Sequence, residues 1–184
     1  MDGRQERLRN DYQEMIKLRD KSSGMFEFKV DKSYRHYEAV LHGIHTFIVN
    51  KDGGFKLVDD HVFTIDLPAE YPMAEPKFKF ANPLYHPNWY GDGRVCLGIL
   101  SSAWDPATKL NDLVEDTIKM MTFEIVNPNS PANGEACRWY NEKKDFIKAT
   151  VSKEQFENPS GDTLEITEFE SSSAEEGSLD ITEM

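Results

Sequence analysis

Residues 85–100, YHPNWYGDGRVCLGIL, stand where a strand-rich half of the chain gives way to a helical half. Before this stretch, MFEFKV, YEAVL and HVFTIDL are rich in β-branched and aromatic residues, as is typical of strands. After it, LNDLVEDTIKMMTFEIV places six apolar residues on one helical face: Leu110, Leu113, Val114, Ile118, Met121 and Ile125. We therefore predict an α+β fold with a long helix over residues 110–126 that ends before Pro128.

The remaining elements follow from local signals. RQERLRNDYQEMIKLRDK has apolar residues at helical spacing and predicts an N-terminal helix that ends at Ser22-Ser23-Gly24. FIVNKDGGFKLV contains a turn signal and predicts a hairpin, whereas only KFKF fits as a strand among the prolines of residues 68–87. Asn133 and Asn141 are candidate N-caps and predict two short C-terminal helices, the second containing Phe146, Ile147 and Val151.

The negative charge is concentrated at the C-terminus. The chain has 21 Lys and Arg against 33 Asp and Glu, and residues 154–184 hold ten of these acids and no base. We expect a folded domain over residues 1–156 and a disordered acidic Ser/Glu-rich tail over residues 157–184. The tail is either a solubilising segment or a docking arm for a basic groove.

Composition also limits partners and location. The nearly neutral body has no basic stripe for nucleic acid, and no run of about 18 apolar residues indicates a membrane span. The charged N-terminus lacks the apolar core of a signal peptide, and two cysteines 41 positions apart form no disulfide framework. These features favour a reducing cytoplasmic and/or nuclear location.

The residues around Cys96 alone leave its role open. Its apolar neighbours favour a small buried side chain, whereas the preceding Gly-Asp-Gly turn suits an exposed nucleophile. A phosphatase loop would need arginine where Ser102 stands, and no local pattern identifies the histidine partner of a thiol protease. His42 and His45 form an isolated pair, so no metal site is predicted.

The combined motifs resemble the ubiquitin-conjugating enzyme (UBC) family. The similarity lies in YHPN, in Cys96 eight residues after its asparagine, in CLxIL, and in Trp104 and Pro106 of SSAWDPA. LPAEYPMAEPKFKF and NPNSPANGEA resemble the segments that the family carries before and after these motifs. The resemblance covers about residues 4–156. It implies an N-terminal helix, a four-stranded or slightly larger antiparallel meander sheet and C-terminal helices, with residues 1–156 as the catalytic domain.

The resemblance implies acyl transfer through a thioester on Cys96. Cys96 would accept ubiquitin from the activating enzyme and pass it to a substrate lysine or to a ligase cysteine. No cofactor would be bound, because the activating enzyme uses ATP upstream. The partners implied are ubiquitin or a ubiquitin-like modifier, the activating enzyme, a RING- or HECT-type ligase and protein substrates. A variant that binds or loads ubiquitin without discharging it is a further alternative.

Site roles follow the same resemblance. Asn88 would either donate to the developing oxyanion or brace the loop, and the two roles are compatible. His86 and Pro87 would shape the turn. Ser130 matches the gate position, where it either orients the incoming lysine or is an ordinary turn residue.

A second group of residues matches the surface for the ligase and activating enzyme: Arg7, Met73, Asp105, Pro106 and Ala107. Each is otherwise an ordinary loop or helix residue.

The chain departs from the family pattern at several places. Residues 44–60 make a longer connection than usual between the first two family strands, the long helix is about one turn longer, and the gate is about two residues shorter. Gly98 replaces a side chain that is often polar. Cys137 is predicted to pack on its own helix.

Overall fold

The computed structural model describes residues 3–49, 55–96 and 104–151. In chain order these residues form α1 (Gly3–Lys21), β1 (Phe26–Val30), β2 (His36–Leu41), β3 (Thr46–Val49), β4 (Phe55–Val58), β5 (His61–Asp66), β6 (Lys77–Phe80), α2 (Leu110–Met121) and α3 (Gly134–Thr150). The predicted α+β architecture, with an N-terminal helix, a four-stranded antiparallel sheet and C-terminal helices, is confirmed.

The central sheet has the strand order β1-β2-β5-β6, and every neighbouring pair is antiparallel. The alternation predicted for HVFTIDL is present, since Phe63 and Ile65 are buried while Val62 and Asp66 are exposed. The buried face packs in one core with Leu8 and Met15 of α1 and with the apolar face of α2. Burial of this shared apolar surface is the main force that holds the helices on the sheet.

The segment between β2 and β5 forms a hairpin outside the central sheet. β3 and β4 pair from Thr46 opposite Val58 to Val49 opposite Phe55, as a separate two-stranded sheet. The long connection is therefore an inserted hairpin between β2 and β5, the second and third strands of the central sheet, and its predicted place between the first two strands is wrong. Its Asp-Gly-Gly turn lies outside the described residues.

The prediction that the long helix extends to Val126 is wrong. α2 ends at Met121, and Phe123 adopts a left-handed φ of 57°. The N–H groups of Phe123 and Glu124 donate to the carbonyls of Met120 and Lys119, which is a Schellman ending. Such endings usually contain glycine, so the sequence offered no stop signal, and Ile125 still packs on the core after the helix has ended.

The prediction of two C-terminal helices is confirmed, but their boundary differs from the predicted one. Asn133 is the N-cap of α3 and accepts from the N–H groups of Glu135 and Ala136. The range Gly134–Thr150 consists of two helices that meet at a kink at Lys143, where φ is −122° and ψ is 24°. Asn141 therefore lies before the kink, inside the first helix, and is not the cap of the second. Phe146, in the second helix, is 54% exposed.

Two further predictions concern residues outside the described ranges. Gly98 lies in the interval 97–103, and the acidic tail lies beyond residue 151. Within the described ranges, α1, α2 and α3 are too short or too polar to cross a membrane.

Candidate active site

The HPN turn, residues His86–Asn88, follows an extended segment after β6 and is shaped by its own side chains. The backbone N–H of Asn88 donates to Nδ1 of His86 at 3.0 Å. Pro87 fixes the backbone between these residues and contributes no N–H donor of its own. Its carbonyl accepts from the N–H of Asn133 at 2.9 Å, so the turn is also bound to the start of α3.

His86 is neutral and completely buried in this turn. Its ring packs against the rings of Trp89 and Phe123, with centroids 5.1 and 4.5 Å away. Burial lowers the pKa of His86 to about 3. Because Nδ1 accepts a hydrogen bond, the single ring proton of the neutral imidazole is on Nε2. His86 therefore does not change its charge near neutral pH, which suits a structural group.

Asn88 joins three segments of the site. Its side-chain Nδ2 donates to the backbone oxygen of Asn127 at 3.0 Å, and its Oδ1 accepts from the N–H of Asn127 at 2.9 Å. Its backbone carbonyl accepts from the N–H of Cys96 at 3.0 Å. The whole residue is buried, so these contacts form in a region from which water is excluded.

Cys96 lies at the end of a tight return from the HPN turn. Gly93 makes this return possible, since its φ is 88° and a side chain there would collide with the carbonyl of Phe80. An isolated bridge between Trp89 and Val95 holds the two arms together. Cys96 itself is half-buried, which leaves part of its side chain accessible to a partner. The fully buried side chain that composition favoured is therefore not observed.

Tyr90 is a site residue that the sequence analysis missed. Its side chain interacts with that of Cys96, and this interaction raises the pKa of the Tyr90 hydroxyl. Both residues line an open groove of about 380 Å³, together with Lys77 and Arg94. The Arg94 guanidinium lies 4.9 Å from the centre of the Tyr90 ring. The available signal was the position of Tyr90, two residues after Asn88 on the arm opposite Cys96.

The gate loop, residues 127–133, is attached to the HPN turn at both ends. Asn127 is bound by the Asn88 side chain, and Asn133 is bound by the Pro87 carbonyl. Asn127 also accepts from the N–H of Asn129 through its Oδ1 at 3.0 Å. Ser130 lies exposed between the two attachments, so the fold carries it to the same side of the molecule as the HPN turn.

The predicted partner surface is brought together around α1. The indole N–H of Trp104 donates to the carbonyl of Pro72 at 2.6 Å, which holds the loop after residue 103 beside Met73. Met73 is 67% exposed, Asp105 and Ala107 are exposed, and Pro106 is half-buried.

Arg7 differs from the others in this group because it points inward. Its guanidinium contacts Asp11 Oδ2 at 2.8 Å, the Tyr71 hydroxyl at 3.0 Å, and the carbonyls of Pro106 and Thr108 at 2.5 Å each. Helical spacing placed Arg7 on a polar face but did not reveal these partners. The structure thus gives Arg7 a role inside the protein, as the residue that attaches the 104–108 loop to α1.

The second cysteine and the histidine pair have other surroundings. Cys137 is buried on α3, and its thiol donates to the carbonyl of Pro128 at 3.5 Å, so it packs on its helix as predicted. His42 contacts Asp60 at 2.8 Å. In the parts of the chain that the structure describes, no three His, Cys, Asp or Glu residues are grouped as metal ligands.

The fold and the site together indicate one class of protein, and the match to a family model identifies that class. A family model described as ubiquitin-conjugating enzyme matches residues 7–155, and the chain belongs to this family. Ubiquitin-conjugating enzyme E2 1 of Caenorhabditis elegans is 30% identical over 75% of this chain and 66% of its own.

Two other relatives support the same family. Ubiquitin-conjugating enzyme E2 2 of Mycosarcoma maydis is 38% identical over 55% of this chain and 52% of its own. Ubiquitin-conjugating enzyme E2 of African swine fever virus is 35% identical over 48% of each chain. The chain thus covers less than two thirds of the length of each of these three relatives.

Proposed function

We propose that this protein accepts ubiquitin from the activating enzyme as a thioester on Cys96 and passes it to a substrate lysine or a ligase cysteine. The observation that carries the proposal is the position of Cys96, which is half-buried. Its backbone N–H donates to the Asn88 carbonyl, and its side chain interacts with that of Tyr90. Membership of the ubiquitin-conjugating enzyme family supports this proposal, and a ubiquitin-like modifier is the alternative substrate.

The first step is transthiolation. The Cys96 thiolate attacks the carbonyl carbon of the thioester between the modifier's C-terminal glycine and the activating enzyme's cysteine. A new S–C bond forms, the bond to the activating enzyme's sulfur breaks, and that sulfur leaves as a thiolate. The Tyr90 side chain interacts with that of Cys96, and we propose that it orients the sulfur for this attack.

In the second step a lysine amine attacks the Cys96 thioester and releases the Cys96 thiolate. We propose that Asn88 acts here mainly by holding Asn127 and the gate loop, because both ends of its amide are engaged. One N–H of that amide remains for the oxyanion if the site rearranges. The exposed hydroxyl of Ser130 is placed to orient the amine, although serine is a poor base.

The interaction surface completes the proposal. The exposed side chain of Met73 beside the half-buried Pro106 offers an apolar anchor for a RING- or HECT-type ligase or the activating enzyme. Asp105 and Ala107 flank this anchor, and we propose that Arg7 contributes by holding the loop and not by touching the partner.

The test mixes the protein with activating enzyme, ATP and either ubiquitin or a ubiquitin-like modifier, and examines the products on non-reducing gels. We expect an adduct with ubiquitin that thiol reagents remove, that C96A abolishes and that C137A retains. An adduct only with a ubiquitin-like modifier would change the modifier. A thioester that free lysine does not discharge would support the non-discharging variant, and no adduct with any modifier would refute the proposal.

A further inference from the structure

The inserted β3–β4 hairpin forms backbone contacts with the segment that leads directly into the HPN turn. The N–H of Tyr85 donates to the carbonyl of Phe47 at 2.7 Å, and the N–H of Val49 donates to that of Pro83 at 3.0 Å. An antiparallel bridge joins Ile48 to Leu84 between these bonds. β3 is thus paired with β4 on one edge and with residues 83–85 on the other.

Side chains extend the contact to the residue before His86. The ring of Phe55 stacks on that of Tyr85, with centroids 4.9 Å apart and planes at 14°. Tyr85 also meets the ring of Trp139 on α3 at 5.2 Å, and Trp139 meets Phe47 at 5.1 Å. Tyr85 is therefore held between the hairpin and α3, and aromatic pairs of this kind have preferred geometries that fix orientation.

The hairpin also contacts the segment that leads to the gate loop. The Thr46 hydroxyl donates to the carbonyl of Met121 at 2.8 Å, at the end of α2. Phe47 shares a buried cluster with Phe123, and the Phe123 ring lies 4.5 Å from that of His86. The hairpin thus binds both chain segments that the Asn88 side chain joins.

We propose that the β3–β4 hairpin positions the HPN turn against the gate loop for attack of lysine on the thioester, with Phe55 as the positioning residue. This inference rests on the proposed function. Phe55 is 39% exposed, so its ring contributes less to the core than a buried ring while still fixing Tyr85. Small displacements of a reactive geometry reduce rates strongly. The contacts described above join the hairpin to the segments before the HPN turn and the gate loop, so we expect lysine attack to be affected more than loading of Cys96.

The test compares loading and discharge for F55A, F55Y and L57A. Leu57 is the matched control because it lies two residues away on β4, on the same strand face, and is 38% exposed. For F55A we expect near-normal thioester formation but about 10-fold slower discharge at saturating free lysine, with KM for lysine unchanged. F55Y keeps the ring and should restore the rate, and L57A should stay within about 2-fold of the wild type.

Two activity results would overturn the proposal: wild-type discharge in F55A, or equal loss in F55A and L57A. A second measurement keeps this test separate from the proposed function. Hydrogen exchange of the Asn127 N–H, which donates to Asn88, should be faster in F55A than in L57A even if no thioester forms. Equal exchange in the two variants would refute positioning, whereas absence of a wild-type adduct would refute only the function.

Discussion

Replacing Asn88 with aspartate tests whether its amide braces the gate loop. N88D keeps the shape of the side chain and the acceptor for the Asn127 N–H, but it replaces the Nδ2 donor with an oxygen that faces the Asn127 carbonyl. A buried carbonyl loses its partner, at about 1–3 kcal/mol, and a buried carboxylate is left without compensation. We expect the free energy of unfolding at pH 8 to fall by about 3–5 kcal/mol.

The effect of N88D should depend on pH with a defined sign. Burial beside a carbonyl raises the folded-state pKa of the introduced carboxyl above the unfolded value of about 3.9. Below the unfolded pKa the neutral acid donates its O–H to the Asn127 carbonyl, and the variant approaches wild-type stability. That stability is lost as the pH rises through the folded pKa, so the deficit grows from about pH 4 to a plateau.

The assay is urea-induced unfolding of wild type, N88D and N133D between pH 4.5 and 8. N133D is the matched control because Asn133 is a helix N-cap, where aspartate serves as well as asparagine. We expect N133D to remain within about 0.5 kcal/mol of the wild type. Wild-type stability of N88D at pH 8, or a deficit that does not change with pH, would refute the bracing role.

Three further predictions address other residues. R7M should lower the free energy of unfolding by about 3 kcal/mol, because it leaves the buried Asp11 carboxylate without its ion-pair partner. K17M removes an exposed ion pair and should change this free energy by less than about 0.5 kcal/mol. Equal effects of the two variants in urea unfolding would contradict this prediction. Y90F should load Cys96 about 2- to 10-fold more slowly in a rapid-quench assay, since Cys96 loses the interaction with the Tyr90 hydroxyl; an unchanged rate would exclude a role for that hydroxyl. The pKa of His86 is about 6.5 in the unfolded chain and about 3 in the folded protein, so unfolding between these pH values takes up a proton. Wild-type stability should therefore decline as the pH drops below about 6.5. H86N should show a shallower decline, and parallel curves of stability against pH would contradict a neutral, buried His86.

The sequence predicted the strands of the central sheet well because each of these strands buries one face. The alternation in HVFTIDL and KFKF predicts which side chains enter the core, and the structure buries these side chains. The end of α2 could not be predicted in this way, since Phe123 takes a left-handed conformation that glycine or asparagine usually adopts. The tertiary environment overrides the local preference there, because Phe123 gains a buried place beside His86.

The site was predictable in its motifs but not in its contacts. The family resemblance brought Asn88 and Cys96 into one hypothesis, and the structure links them by a backbone hydrogen bond. The inward course of Arg7 and the contact of Tyr90 with Cys96 depend on segments that meet only after folding. Local sequence cannot specify such partners, because it fixes the face of an element and not what packs against that face.

The buried groups that hold the HPN turn and the gate loop next to Cys96 are neutral. Asn88 and the Asn127 backbone are uncharged, and His86 stays neutral because its pKa is about 3. A fixed charge there would need costly desolvation and would attract or repel the charge that develops on sulfur or oxygen during transfer. The charged side chains of Glu75, Lys77 and Arg94 instead line the open groove beside Cys96, where the proposed function would bring a substrate or partner. Charge can thus help to select the incoming group, while the buried side maintains geometry without titrating near neutral pH.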